Sequence, residues 1–299
     1  MTETRCGYVA IIGAPNAGKS TLLNQIIGQK VTIVSKKVQT TRTRISGIMM
    51  YENSQIIFID TPGIFKPQKR LDRAMVHAAW EGVKDADCIA LIVDTTKSNP
   101  VRFLEPILKN LEDHSKPVVL VLNKIDSVKK ESLLALTAEF TERFPFKRVF
   151  MISALKGHGT KEFVEFMSQA VPYGDFLFDP EDITTTPMRL LAAELTREKI
   201  FNQLYQEIPY ACTVETDVFD ESDPQKWLIE QTVYVQRESQ RAIILGHKGQ
   251  QLKKIGMAAR LDMQKQFGVP ILLSLFIKVR DEWLEDPDRF RAMGLDYKV

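Results

Sequence analysis

Long apolar runs are missing from this sequence. Such runs as Cys88 to Val93, Val118 to Leu122 and Ile271 to Leu273 fall far short of the roughly 20 residues that a helix needs to span a bilayer. The chain also opens without a charged-then-apolar signal pattern, so a cytoplasmic protein is expected, with peripheral contact at the inner membrane left open. Cysteine is scarce: Cys6, Cys88 and Cys212 lie far apart, odd in number and without metal-ligand spacing. That argues against a disulfide framework and fits a reducing compartment. Net charge is nearly absent too, +2 from 40 basic and 38 acidic residues, so any nucleic-acid surface must be local. With 44% hydrophobic and 26% charged residues, neither disorder nor a fibre is indicated, and 299 residues suffice for two domains.

What is present is a phosphate loop. Gly13-Ala14-Pro15-Asn16-Ala17-Gly18-Lys19-Ser20-Thr21 follows an apolar run, Tyr8 to Ile12, that reads as a buried strand. It leads into Leu22, Leu23, Ile26 and Ile27, spaced to share one helical face. In that context backbone N–H groups and the positive helix end can surround a diphosphate. Lys19 then reaches the β- and γ-phosphates, and the Ser20 hydroxyl is placed to ligate Mg²⁺. A chance glycine loop is the alternative.

Through about residue 170, apolar strands alternate with helical patterns, the signature of an α/β sheet covered on both faces. Strands are expected near 7–12, 45–51, 54–59, 87–94, 117–122 and 147–152, and helices near 18–28, 73–84, 100–113, 131–143 and 159–170. Only Glu52-Asn53 separates the second and third strands, which makes them an antiparallel hairpin in a mixed, mostly parallel six-stranded sheet.

Ligands of such sheets bind beyond the carboxyl ends of the strands. After the third strand comes Asp60-Thr61-Pro62-Gly63, an acid able to hold Mg²⁺ through water and a glycine whose N–H suits a γ-phosphate. After the fifth comes Asn123-Lys124-Ile125-Asp126, whose last carboxylate matches the two donors on the N1–H and N2–H₂ edge of guanine. After the sixth comes Ser153-Ala154-Leu155, with backbone N–H groups for guanine O6. Each tetrapeptide alone is an ordinary cap or turn; their order and placement carry the argument.

On these residues the first half resembles the translation-factor-related class of GTP-binding proteins, and the Gly-x-Pro-Asn-x-Gly-Lys-Ser form of the loop is similar to its Era and Der branch. The resemblance implies a P-loop GTPase binding GTP and GDP with Mg²⁺ held by Ser20, Asp60 and a threonine of the basic loop Ser35-Lys36-Lys37-Val38-Gln39-Thr40-Thr41-Arg42. Thr41 takes that role, with Thr40 the runner-up. Lys19, Thr41, Gly63 and Asn16 form the expected catalytic set. Ile64 follows Gly63 where the best-known small GTPases carry a water-orienting glutamine, so unaided hydrolysis is expected to be slow. Asn16 resembles the asparagine that coordinates K⁺ in related GTPases; shaping the loop is its other reading.

Residues 171–187 hold prolines, a glycine and threonines without a sustained period and read as a linker whose aromatics dock. Beyond it a helix near 188–205, strands near 210–218 and 226–236, the run Ala242 to Leu252, a helix to about 267 and a strand Ile271 to Val279 are expected. This α-β-β-α-α-β order, with an apolar run entering Gly246-His247-Lys248-Gly249, is similar to a KH domain of bacterial topology. Its glycines let a nucleic-acid backbone approach, with His247, Lys248, Lys253 and Lys254 available for phosphates. From Arg241 to Lys265 six bases face one acid, Asp262, and a charge run centred there reads as a phosphate track.

The expected division is a GTP-binding domain over 1–172, a linker over 173–187, and a smaller α+β KH domain over 188–299 whose tail, with Trp283 and Phe290, packs on that module. The combination resembles the Era family of bacterial ribosome-assembly GTPases. That implies a monomer binding 16S ribosomal RNA near its 3′ end during assembly of the 30S subunit. Two rivals remain: a membrane-associated signalling GTPase and a metabolic P-loop kinase, in which Asn123-Lys124-x-Asp126 would have no work.

Overall fold

A computed structural model describes residues 3–205, 208–281 and 283–299. The chain divides into two compact units, one of Met1–Val31, Thr41–Thr185 and Met293–Val299, the other of Thr32–Thr40 and Thr186–Ala292.

The first unit runs β1 (Arg5–Gly13), α1 (Lys19–Ile27), β2 (Ile45–Tyr51), β3 (Ser54–Asp60), α2 (Arg70–Asp85), β4 (Cys88–Asp94), α3 (Pro100–Glu112), β5 (Val118–Asn123), α4 (Lys130–Arg143), β6 (Arg148–Ile152) and α5 (Thr160–Ala170). Its sheet has the order β2-β3-β1-β4-β5-β6, parallel except for the β2–β3 hairpin. Because side chains alternate across a strand, neighbours in sequence enter different cores. Val9, Ile11, Phe58, Ala90 and Val121 pack beneath α1 and α5, whereas Ala10, Ile12, Ile89, Leu91 and Leu120 pack beneath α2, α3 and α4. That two-sided burial is why these strands read as unbroken apolar runs. Helix α2 begins at Arg70 rather than near 73, since the Asp72 carboxylate reaches back to accept from Gln68 N at 3.0 Å and Lys69 N at 3.1 Å.

The linker docks on the first unit. Gln55, fully buried on β3, accepts from Leu177 N at 2.9 Å and Phe178 N at 3.0 Å and donates to Phe178 O at 2.8 Å. Phe176 and Phe178 pack on Cys6, Ile48 and Ile57. Further on, Gly47 bridges Thr184 along the outer edge of β2, with Ile48 N donating to Ile183 O at 2.9 Å.

The second unit runs α6 (Met188–Gln203), β7 (Cys212–Asp220), β8 (Trp227–Val235), α7 (Glu238–Leu245), α8 (Gln250–Phe267), β9 (Ile271–Val279) and α9 (Pro287–Ala292). The sheet order is β7-β8-β9, antiparallel then parallel, the KH arrangement of bacterial topology. Ala193 and Ile200 of α6, Val214, Val233, Ile244 and Ile255 close one core. Trp283 and Phe290 are buried in this unit, Trp283 Nε1 donating to Ala211 O at 3.1 Å.

Two segments depart from the expected division. Thr32–Thr40 groups with the second unit, and Met293–Val299 with the first. In the tail Leu295 is buried and the Tyr297 ring lies 4.4 Å from the Arg70 guanidinium, a cation–π contact at the start of α2. Among the described residues no helix is long and apolar enough to cross a membrane.

Gln55→Ala leaves the Leu177 and Phe178 backbone groups without their partner, so urea unfolding should report a loss of about 2 to 4 kcal/mol. Proteolysis within 173–187 should quicken in parallel. A loss below about 0.5 kcal/mol would mean that the aromatics alone hold the linker.

Candidate functional site

The loops after β1, β4, β5 and β6 meet at one end of the first sheet, and Asn123 and Lys124 tie them together. Asn123, buried at the end of β5, donates from Nδ2 to Ala17 O at 2.8 Å and accepts at Oδ1 from Ala154 N at 2.9 Å and Lys124 N at 2.8 Å. Gly18, at φ 101°, lets the phosphate loop come this close: a Cβ there would sit 2.2 Å from Asn123 Nδ2. Lys124 Nζ donates to Asn16 O at 2.9 Å and pairs with Asp94 Oδ2 at 2.6 Å. Burial opposes ionisation of Asp94, but its bonds from Lys124 and Thr96 outweigh that and hold the carboxyl below its ordinary range. Asp94 closes β4 and escaped the sequence reading, although the rule used for the other strand ends points to it.

At the phosphate end Lys19 is buried, donating from Nζ to Gly13 O at 3.2 Å and Ala14 O at 3.0 Å. Burial pushes its ammonium down to about 8, opposed by Asp60. Ser20 Oγ donates to Asp60 Oδ2 at 2.6 Å and lies 2.8 Å from Thr41 Oγ1, which is 3.3 Å from the same carboxylate oxygen. Thr40 stands apart, its hydroxyl bonded to Lys37 O at 2.8 Å. Among the described residues no group of three or more His, Cys, Asp or Glu side chains is arranged to hold a metal. Two hydroxyls and a carboxylate suit a hard cation that completes its shell with water and phosphate oxygens, as Mg²⁺ does.

Around this cluster, Thr61 Oγ1 anchors to Ile11 O at 2.8 Å and Gly63 abuts Pro15. Pro62 lies between them, while Thr21 sits half-buried in α1. Ile64 N donates to Gly13 O at 3.0 Å and its side chain is buried with Ile12 and Val83, so it belongs to the core. Asn16 takes a positive φ of 61°, which fits loop shaping.

At the base end, Asp126 follows Lys124 on a short turn, Ile125–Ser127. The Ser153 hydroxyl bonds its carboxylate and holds it below the usual range, with Lys156 Nζ 3.7 Å away adding to the effect. The Ser153–Leu155 backbone, expected to offer an N–H to guanine O6, has two of its three N–H groups engaged internally: Ser153 N to His158 O at 3.0 Å and Ala154 N to Asn123. The Leu155 side chain is 77% exposed.

In the second unit α7 ends at Gly246, with φ 68° and ψ −178°, a conformation adopted almost only by glycine. A Cβ there would lie 2.6 Å from Gln251 Cβ. His247, Lys248 and Gly249 make the turn into α8, and His247, Lys248, Lys253 and Lys254 are exposed. Ile243 and Leu245 on α7 and Phe276 on β9 are exposed as well. Apolar type alone assigns these three to a core, and only the alternation within β9 hints otherwise.

The depressed pKa of Lys19 has a pH signature. A bound phosphate favours the ammonium, so nucleotide affinity should be flat below about pH 8 and fall above it, by up to tenfold per unit. Titration calorimetry between pH 7 and 9.5 checks this, and proton uptake should accompany binding at the upper end. A flat profile to pH 9.5 would remove Lys19 from the phosphate contact.

Residues 8–124 match the family described as 50S ribosome-binding GTPase, and residues 207–284 match the KH domain family. GTPase Era of Mesorhizobium japonicum is 50% identical over 295 residues, 98% of this chain and 94% of that protein. GTPase Era of Brucella suis is 49% identical over 99% of this chain and 95% of its own. A crystal structure of Era in complex with MgGDPNP and nucleotides 1506–1542 of 16S ribosomal RNA is 38% identical with a TM-score of 0.90, covering 97% of this chain and 99% of that one. A point variant of Aquifex aeolicus Era bound to GDP and AlF4⁻ gives 38% identity and a TM-score of 0.89, over 97% of this chain and 99% of that one. Similarity at this level spans both units, and it makes the chain a GTP-hydrolysing member of the Era GTPase family.

Proposed function

We propose that this chain is a GTP-operated switch that binds the 3′ region of 16S ribosomal RNA and assists assembly of the 30S subunit. The observation that carries the reading is a guanine-type nucleotide site and a Gly-x-x-Gly module on one chain, over nearly the whole length of which it is similar to an RNA-bound Era. That chain was captured with MgGDPNP and 16S nucleotides together. Membrane signalling is the weaker reading, because the similarity to a ribosomal-RNA-bound protein spans both units.

The geometry supports the following assignment of roles. Backbone N–H groups of Gly13 to Lys19 and the N-terminus of α1 take the diphosphate, and Lys19 takes the β- and γ-phosphates. Asp126 reads guanine through its two-donor edge, with Asn123 and Lys124 fixing the loops that flank the base. Ser20, Thr41 and Asp60 would hold Mg²⁺, which when bound would neutralise charge developing on the transferred phosphoryl oxygens. Gly63 presents its N–H to the γ-phosphate. Hydrolysis without help is slow, because the core position of Ile64 leaves no side chain there to orient water. Asn16 would coordinate a K⁺ ion, which would supply the missing charge there. The protein acts as a cytoplasmic monomer, with residues 188–299 as its RNA-binding half.

Lys248→Glu should weaken binding of a 16S 3′-end RNA at least about tenfold, by removing a phosphate contact and adding repulsion. GTP affinity should stay within about twofold. This position is a cleaner probe than Gly246, where any side chain strains the backbone. Fluorescence anisotropy with labelled RNA measures it, and parent-like affinity would move the RNA surface away from this loop. For the cation, single-turnover hydrolysis in KCl should exceed that in NaCl at equal ionic strength, and Asn16→Ala should abolish the difference. Equal rates in the two salts would leave Asn16 a loop-shaping residue.

A further inference from the structure

We propose that the Asp94-Thr95-Thr96 turn closing β4 is a positioning element of the nucleotide site. It holds the Lys124 ammonium against the carbonyl of Asn16 and so keeps the phosphate loop in the shape that a diphosphate requires. The inference rests on the assignment of that loop to the diphosphate made above.

Two residues beside the site occupy the left-handed region without being glycine: Asn16 at φ 61° and Lys124 at φ 68°. Asparagine enters that region at little cost, whereas lysine does not. Such conformations persist where the surroundings over-determine them, and they gather at ligand-binding positions. Here the two residues are joined, Lys124 Nζ donating to Asn16 O at 2.9 Å. A lysine alone is a poor brace, because its long stem has much rotamer freedom to lose. A second, fixed partner makes the bond persistent.

The turn after β4 supplies that partner. Asp94 and Asn123 face each other in the β4–β5 pair, so the two strand ends leave the sheet side by side. Thr95 N and Thr95 Oγ1 both donate to Asn123 O, at 3.1 and 2.8 Å. Thr96 N and Thr96 Oγ1 donate to Asp94 Oδ1, at 3.0 and 2.6 Å. One carboxylate oxygen is thereby engaged by the turn itself, and the other, Oδ2, meets Lys124 Nζ at 2.6 Å. Asp94 is buried, so its carboxylate cannot follow a lysine that moves away. The turn grips the backbone of Asn123 and the side chain of Lys124 together, and the lysine passes that restraint to Asn16. All of these residues belong to the first unit.

The charge of Asp94 separates positioning from electrostatics by sign. A carboxylate near a bound polyanion opposes binding by Coulomb repulsion, so neutralising it should tighten nucleotide binding. Positioning demands the reverse. With Asp94 neutral, Lys124 loosens and the loop facing the phosphates loses its template.

The test is stopped-flow binding of a fluorescent GDP to the full chain, with inosine diphosphate as competitor. Asp94→Asn should speed GDP dissociation about tenfold, the loss of one hydrogen bond to charge, and change association by no more than about threefold. Inosine diphosphate should weaken by the same factor, because the phosphate loop and not Asp126 is disturbed. Asp94→Glu should recover part of the loss, and combined with Lys124→Met, Asp94→Asn should add nothing. Unchanged or tighter GDP binding, multiplying effects, or a loss seen with GDP alone would overturn the proposal. So would a smaller binding-competent fraction with a parent-like dissociation rate, the mark of a merely structural role. Lys19→Ala is the control: parent-like GDP affinity there would remove the diphosphate from the loop and overturn both readings. A parent-like Asp94→Asn beside a weakened Lys19→Ala would overturn this one alone. Should circular dichroism show Asp94→Asn unfolded, Thr96→Val, which keeps the charge and removes one bond to Oδ1, carries the same cycle. There a threefold faster dissociation, roughly, is expected, and no change would overturn the proposal.

Discussion

Everything at the nucleotide end of the sheet depends on two consecutive side chains leaving β5. Asn123 and Lys124 place five hydrogen-bonding or charged contacts on four loops, and the partners are mostly backbone atoms rather than exchangeable side chains. Loops are ordinarily the soft part of an α/β domain. Here the ends of β1, β4, β5 and β6 are cross-braced by the chain's own side chains and backbone, so the fold itself contributes to ordering them. Asp94 belongs to this bracing: a carboxylate kept ionised within the fold, it aligns the lysine that spans to Asn16.

The sheet is legible in the sequence for a physical reason. Strands such as Cys88–Asp94 and Val118–Asn123 are buried on both faces and cannot tolerate a polar break. The phosphate loop, Asp60, Asn123 and Asp126 are legible because one chemical demand falls on each strand end. Segment 32–40 was not legible as part of the second unit. Its polar residues have no period, and the partners that hold it lie more than 150 residues away, as in the 157-residue separation of Arg197 and Thr40. The start of α2 was missed because one carboxylate, Asp72, extends the helix against a weak local pattern. Within the tail, Trp283 and Phe290 are buried in the second unit, whereas Leu295 and Tyr297 group with the first, a split that the aromatic pattern alone does not reveal. The engaged Ala154 N–H depends on the rotamer of Asn123, which no spacing rule reveals.

A P-loop GTPase with an isoleucine after its Asp-x-x-Gly motif is assembled differently from one with glutamine there. Ile64 is part of the core beneath α2, and its N–H secures the phosphate loop at Gly13 O. The position is thus spent on rigidity, and the water-orienting duty is left to groups elsewhere.

The strap along β2 has a bearing on how the chain is made. Ser46 and the threonine that bonds it are 138 residues apart, and β2 is the outermost strand of its sheet. On a ribosome, β2 can pair with β3 as soon as the hairpin emerges, yet its outer row of N–H and C=O groups stays bare until Thr184 has been synthesised. At about 5 to 20 residues per second that interval lasts several seconds to half a minute. An open edge of that kind is a template for pairing with another nascent chain. The segment that joins the two halves of the molecule therefore doubles as the last strip of the first half to be laid down, and it seals the sheet only when the second half begins to appear.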